Sequence, residues 1–210
     1  MKTKLAIIIG TLQALTLFSR ADIVLTQDTF VGAATTPMKT VMYIKGDKVR
    51  TDNDTSASMI MDTTTGMMTT LMHEQKMVMT VDSKALKASM PKDIPGTGES
   101  MMPKITKLDQ KETIDGHNCD IYTSELKGMV VKMWVDPKYP GYDKLKNELK
   151  TMEKMSDKAG PESSKIDGMM IKSEFEQSGL KFVTKLVSLE EKKLGDDIFA
   201  VPAGYKPAGQ

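Results

Sequence analysis

Residues 105–137, ITKLDQKETIDGHNCDIYTSELKGMVVKMWVDP, hold three runs of period-two alternation, separated by Asp115-Gly116 and Lys127-Gly128 and closed by a proline. Alternation marks a half-buried strand, and a two-residue pair ending in glycine between two such runs marks a hairpin turn. Pro137 stops the last run because it has no N–H to offer a neighbouring strand. Met129, Val131, Met133 and Val135 share one face, while Lys132, Trp134 and Asp136 share the other. Three consecutive hairpin-linked strands commit this stretch to an antiparallel sheet.

The same rhythm continues outward in both directions. Upstream it predicts strands at Asp22 to Val31, at Thr40 to Ile44 and Lys48 to Asp52 around Gly46-Asp47, and at Ser58 to Asp62, Met67 to Met72 and Lys76 to Asp82. Ser83 to Met90 has the composition of a short helix, and the proline-containing stretch from Pro91 to Pro103 reads as a surface loop. Downstream, Tyr142, Leu145, Leu149, Met152 and Met155 recur at helical spacing with Lys and Glu between them, which predicts an amphipathic helix over Tyr142 to Met155. A last hairpin, Gly168 to Gln177 and Leu180 to Leu189, turns at Ser178-Gly179, and Ile198 to Pro202 reads as a short edge or cap segment. The sum is an α+β domain of about nine or ten strands with one long helix and one short one. A sheet of that length curls, and so little helix covers only part of its apolar face, so a groove between sheet and helix is expected. The side chains expected to line it are Met59, Met61, Met77, Met79, Val131 and Met133 from the sheet, with Leu145, Leu149 and Met152 from the helix.

The first twenty-one residues read differently. Lys2 and Lys4 precede an apolar run from Leu5 to Phe18, and Ser19-Arg20-Ala21 places small residues where a signal peptidase cleaves. The run falls short of the ~20 residues a membrane-spanning helix needs. Residues 1–21 are therefore expected to be a secretory signal, and 22–210 a single exported domain, periplasmic or secreted. No Cys stands at the cleavage point to accept a lipid anchor.

Charge and composition narrow the function. Removing Lys2, Lys4 and Arg20 from the 29 basic residues leaves 26 against 28 acidic ones, a net charge of −2, so nucleic acid is not an expected partner. Arg50 is then the only arginine. The two histidines, His73 and His117, have no nucleophile or acid at local spacing, and no zinc spacing or phosphate-binding glycine loop occurs. The expectation is a non-enzyme without a cofactor. The single cysteine, Cys119, sits in an alternating strand and reads as a buried small hydrophobe. Trp134, on the polar side of its strand, reads equally as packed beneath a loop or as part of a partner surface. The lysines of the helix fit a solvated lid better than a membrane contact, because Glu148 and Glu153 interrupt them.

Nineteen methionines stand against five Phe and one Trp. Met fills irregular cores and also lines adaptable apolar sites, and both readings stand open. A third, Cu(I) binding, follows from Met-x-Met on a strand, which places two soft thioethers on one face.

Ile114-Asp115-Gly116-His117-Asn118-Cys119 entering a strand, Lys132-Met133-Trp134-Val135-Asp136 in the strand after it, and the closing Phe199-Ala200-Val201-Pro202-Ala203-Gly204-Tyr205-Lys206 resemble domain-of-unknown-function family 4412, exported bacterial proteins related to the outer-membrane lipoprotein-sorting carriers. The resemblance covers most of residues 22–210. It implies a half-open antiparallel barrel wrapped around helical cover, with an apolar concave surface that holds acyl chains in the sorting proteins. The function expected is carriage of a lipid-like or other apolar ligand, with a structural or protein-interaction module as the alternative. Neither composition nor resemblance indicates an oligomeric state.

Overall fold

Each of the three glycine-ended turns picked out above carries two consecutive residues in the left-handed region: Asp115 and Gly116 at φ 49° and 86°, Lys127 and Gly128 at 50° and 82°, Ser178 and Gly179 at 52° and 76°. That pair of angles makes the tight turn whose twist matches the strands it joins. A computed structural model describes residues 22–83, 85, 103–155 and 166–208 of the chain, with the side chains of 151–155 left aside. The expected signal at 1–21, most of the expected short helix at Ser83 to Met90, and most of the expected loop at Pro91 to Pro103 lie outside the described residues.

The strands are β1 (Asp22–Val31), β2 (Met38–Lys45), β3 (Lys48–Asn53), β4 (Ala57–Asp62), β5 (Met67–Met72), β6 (Met77–Asp82), β7 (Lys104–Ile114), β8 (His117–Leu126), β9 (Met129–Asp136), β10 (Met169–Gln177), β11 (Leu180–Lys192) and β12 (Lys206–Pro207), with helix α1 (Tyr142–Met155) between β9 and β10. They form one sheet in the order β12-β6-β5-β4-β3-β2-β1-β11-β10-β9-β8-β7. Two meanders, β1 to β6 and β7 to β11, meet along β1 and β11, whose antiparallel register runs from Asp22↔Lys192 to Val31↔Phe182. Every pairing is antiparallel except the short contact of β12 with β6. The sheet is therefore unclosed, and among the described residues it holds twelve strands against the nine or ten expected, because each of the eleven alternating runs forms a strand of its own and Lys206–Pro207 adds one more.

The expected edge or cap segment proves to be a cap. Asp196–Phe199 forms a single 3-10 turn, and Phe199 buries itself with Val24, Ile60, Leu71 and Leu194 on the face away from α1. The edge strand lies further on, at Lys206–Pro207, where proline can occupy a border position. The cap is fastened by polar contacts: Lys45 Nζ donates to the Leu194 carbonyl at 2.7 Å, and the Leu194 N–H donates to Asp22 Oδ2 at 2.8 Å.

The main core gathers Val49 of β3, Ile44 of β2, Leu25 of β1, Ile171 of β10 and Cys119 of β8 around Leu145 of α1. On a flat sheet β3 and β8 would be roughly 29 Å apart, six steps of ~4.8 Å. One buried cluster spanning both requires the sheet to curl around the helix. The helix lysines hold that cover down: Lys144 pairs with Glu191 of β11 at 2.7 Å.

The face of β9 that joins this core is the one carrying Trp134, which lies opposite Ile121 in the regular β8–β9 register. On the other side of β9, Met169 lies opposite Asp136 and Met170 opposite Val135, yet Lys172 already lies opposite Trp134. This bulge shifts the alternation of β10 by one, so that Ile171 and Lys172 both stand beside the indole. Trp134, whose neighbours on its face are Lys132 and Asp136, packs with Met169, Ile171 and Ile121 and is only 3% exposed. Its Nε1 donates to Glu112 Oε2 at 2.7 Å, and the ammonium groups of Lys132 and Lys172 stand 4.6 and 4.4 Å from its ring centre. The indole is core, its polar neighbours folded over its faces.

Candidate functional site

Between α1 and the sheet lies a cavity of about 470 Å³. Leu25 of β1 and Met169 at the start of β10, both buried, form its floor, and Tyr142, Leu145 and Leu149 of α1 form the wall above. Ile166 and Met170 close one side, and Gln27 supplies a polar group. At the rim stand Lys146, Lys150 and Asp167. Lys146 Nζ is 2.6 Å from Asp167 Oδ1, and this hydrogen bond to the carboxylate raises the lysine's pKa and keeps it charged. The lining is thus apolar below and cationic at the mouth, a shape suited to an amphiphile with a negative end.

Local sequence explains the opening. Gly168 turns the chain into β10 at φ 138°, and a Cβ there would lie 2.7 Å from the Asp136 carbonyl oxygen and 2.7 Å from Val135 Cγ1. Only glycine allows β9 and the start of β10 to come so close beneath the helix.

Of the side chains expected to line a groove, Leu145 and Leu149 do line this one. Met152 lies in α1, but its side chain is outside those described. Val131 and Met133 are not brought to it: they pack in a separate cluster with Tyr122 and Val135, on the face of β9 opposite Trp134, and Trp134's face is the one turned to the main core. Met59, Met61, Met77 and Met79 stand on β4 and β6, beyond the part of the sheet that α1 covers. Leu25, Ile166, Met169 and Met170 were missed. The alternation of Met169, Ile171 and Ser173 was visible in the sequence, but nothing in it says which strands the helix crosses.

The histidines are structural ties. His117 Nδ1 bonds Asp136 Oδ2 at 2.9 Å and its ring stacks on Tyr139. His73 bonds Ser58 Oγ through Nε2 at 2.8 Å and the Tyr205 hydroxyl through Nδ1. A serine, a histidine and a further hydroxyl in a row have the outline of a nucleophile relay, but Ser58 is 1% exposed and sealed from any substrate. Arg50 completes the tie, with Nη2 donating to Ser58 Oγ at 3.1 Å, Nη1 to the Ile198 carbonyl at 2.7 Å and Nε to Asp52 at 2.6 Å. The only arginine after residue 21 therefore clamps the C-terminal cap. Cys119 is fully buried, and burial, then the Asp136 charge, push its thiol up to about 11.

Among the described residues no three His, Cys, Asp or Glu side chains cluster to hold a metal, and no helix is long and apolar enough to cross a membrane. No curated protein matches the chain. Solved structures resemble it at low identity. PNGF-II matches with TM-score 0.44 and 9% identity, covering 90% of this chain and 32% of its own, so the chain spans about a third of that protein. A putative outer membrane lipoprotein-sorting protein domain from Vibrio parahaemolyticus matches with TM-score 0.33 and 12% identity, over 87% of this chain and 90% of its own. LprF from Mycobacterium bovis matches with TM-score 0.35 and 9% identity, over 89% and 91%. The family model of the domain of unknown function DUF4412 matches residues 25–205, and the chain belongs to that family.

Proposed function

We propose that this protein binds an acyl-chain amphiphile, without catalysis, in the cavity between α1 and the β1/β10 floor, and that it does so after export. The observation that carries the reading is a space of about 470 Å³ with leucine and methionine walls and lysines at the mouth. Small-molecule sites fall in the ~300–1,000 Å³ range and are mostly apolar with a few polar groups, as this one is. Export is supported by the signal-like pattern of residues 1–21.

Native mass spectrometry of protein purified from cells tests the reading, together with titration by a fluorescent long-chain fatty acid. Bound lipid and saturable uptake are expected, and Leu149→Trp, which projects a bulkier ring into the cavity, should weaken both while leaving the melting transition in place. Bare protein that takes up no fatty acid would leave a scaffold with a redundant void.

A further inference from the structure

Three neighbouring strands carry a grid of thioethers. In register, Met61, Met59 and Ala57 of β4 stand beside Met68, Thr70 and Met72 of β5, and these beside Val81, Met79 and Met77 of β6. Alternate residues project on the same face, so all nine positions lie on one side of the sheet, and six of them are methionine. This is the helix-side face continued outward, since Met61 lies beside Val49 of the main core.

Core filling does not account for the grid. On the opposite face of the same three strands, where a core is packed, the chain uses Ile60, Leu71 and Val78. On the grid face Met59 and Met79 are 39% and 47% exposed, and none of the six methionines belongs to any of the three buried clusters. Among the described residues, branched aliphatic side chains fill the packed face of these strands, and thioethers, two of them exposed and four half-buried, occupy the other.

The positions converge. Met59 and Met79 flank Thr70 from the two neighbouring strands, while Met68 and Met72 stand two residues to either side of it on β5. Directly opposed side chains have Cβ atoms about 4.5–5.5 Å apart and diagonal ones about 7–8 Å. The two rotatable bonds that carry each sulfur let Met59 and Met79 reach toward each other across Thr70, with Met68 on one side and Met72 on the other as alternative diagonal neighbours. Thioethers are soft donors that carry no proton to displace, and they select Cu(I) over hard cations. The donor set contains neither imidazole nor thiolate: His73, next to Met72, is tied to Ser58 and Tyr205 on the other face, and Cys119 is buried on β8.

We propose that this face binds a soft monovalent cation, Cu(I) or its analogue Ag(I), through Met59 and Met79, with Met68 or Met72 as a further donor. The site is separate from the α1 cavity and stands or falls independently of the lipid reading.

The test is an anaerobic titration of the purified protein with Cu(I) against the chromophoric chelator bicinchoninate. One equivalent of metal should leave the chelator. Met59→Leu with Met79→Leu, and separately Met68→Leu with Met72→Leu, should each weaken binding at least tenfold, while Met38→Leu with Met67→Leu and Cys119→Ser leave it unchanged. Independently of any variant, Ag(I) should slow peroxide oxidation of Met59 and Met79 at least fivefold relative to Met38, read by peptide mass spectrometry. Copper retained entirely by the chelator, equal losses in grid and control variants, or equal oxidation rates would each overturn the proposal.

Discussion

Lys146 Nζ and Asp167 Oδ1, 2.6 Å apart, join the middle of α1 to the residue that leads into β10, across the mouth of the cavity. Lys150, one turn along, stands at the same rim. If a carboxylate or phosphate head rests there, replacing both lysines by alanine should weaken binding of oleate about tenfold at low salt, with the difference shrinking as salt is added. A neutral monoacylglycerol should bind both proteins alike. Equal losses for the two ligands, measured by displacement of a fluorescent fatty acid, would show that the lysines serve the fold of the rim and not the ligand's head.

Gly168 carries a second prediction. Its φ of 138° is unfavourable for any side chain, and a Cβ would press on the Asp136 carbonyl oxygen, a backbone atom unable to rotate away. Gly168→Ala should cost about 2–4 kcal/mol, which for a domain of this size lowers the melting temperature by roughly 4–16 °C. Gly179→Ala, where the space around the missing Cβ is open, meets only the conformational cost and should lose less. Thermal denaturation followed by circular dichroism ranks the two, and equal losses would show that the Asp136 contact adds nothing.

Cys119 sets an alkaline limit. Its thiol is held at about 11 against an ordinary 9.0, first by burial and then by the Asp136 charge. A thiol raised on folding contributes its full share of stability below the unfolded value and loses it as pH climbs from about 9 to about 11, because only the unfolded chain ionises there. Subtracting the pH profile of Cys119→Ala from that of the natural chain should isolate this fall. In native protein at pH 8, iodoacetamide should label Cys119 about a hundredfold more slowly than in urea. Rapid native labelling would mean that β8 opens readily.

Asp120, the next residue, works in the acid direction. Hydrogen bonds from Lys107 at 2.6 Å and Lys111 hold its carboxyl below the usual aspartate range. A lowered carboxyl contributes stability above its unfolded value and forfeits it as pH falls through the folded one. Asp120→Asn should therefore flatten the loss of stability below pH ~4, as read from urea midpoints.

Trp134 reports on the core through its own fluorescence, being the only tryptophan. Trp134→Phe removes the donor to Glu112 and the ring faces beneath Lys132 and Lys172, at a cost of about 1–3 kcal/mol. Glu112→Gln keeps an acceptor for the indole and should cost less than half as much, a comparison made on urea midpoints. If the two variants prove equally unstable, the charge of Glu112, and not the size of the ring, is what matters at that position.

Most of the strand plan was legible in the chain because its signals are local. Asp115-Gly116, Lys127-Gly128 and Ser178-Gly179 demand left-handed turns whatever surrounds them, and Tyr142, Leu145 and Leu149 mark a helix by spacing alone. The role of Trp134 was not legible, because both faces of β9 are packed, Met133 and Val135 in one cluster and Trp134 in another, and nothing in the strand alone says which face meets α1.

The amino-acid order by itself determined where strands begin and turn, which side of each is apolar, and where the one long helix runs, since those properties depend on neighbours a few residues away. Only the tertiary structure decided that α1 lies over Leu25 and Met169, and that the methionines of β4 to β6 do not line the cavity beneath it. That choice depends on the pairing of β1 with β11, residues more than 150 apart in the chain, and on the curl that brings β3 and β8 around one helix. No local pattern records either, because both arise from which apolar faces can be hidden together once all the strands are in place.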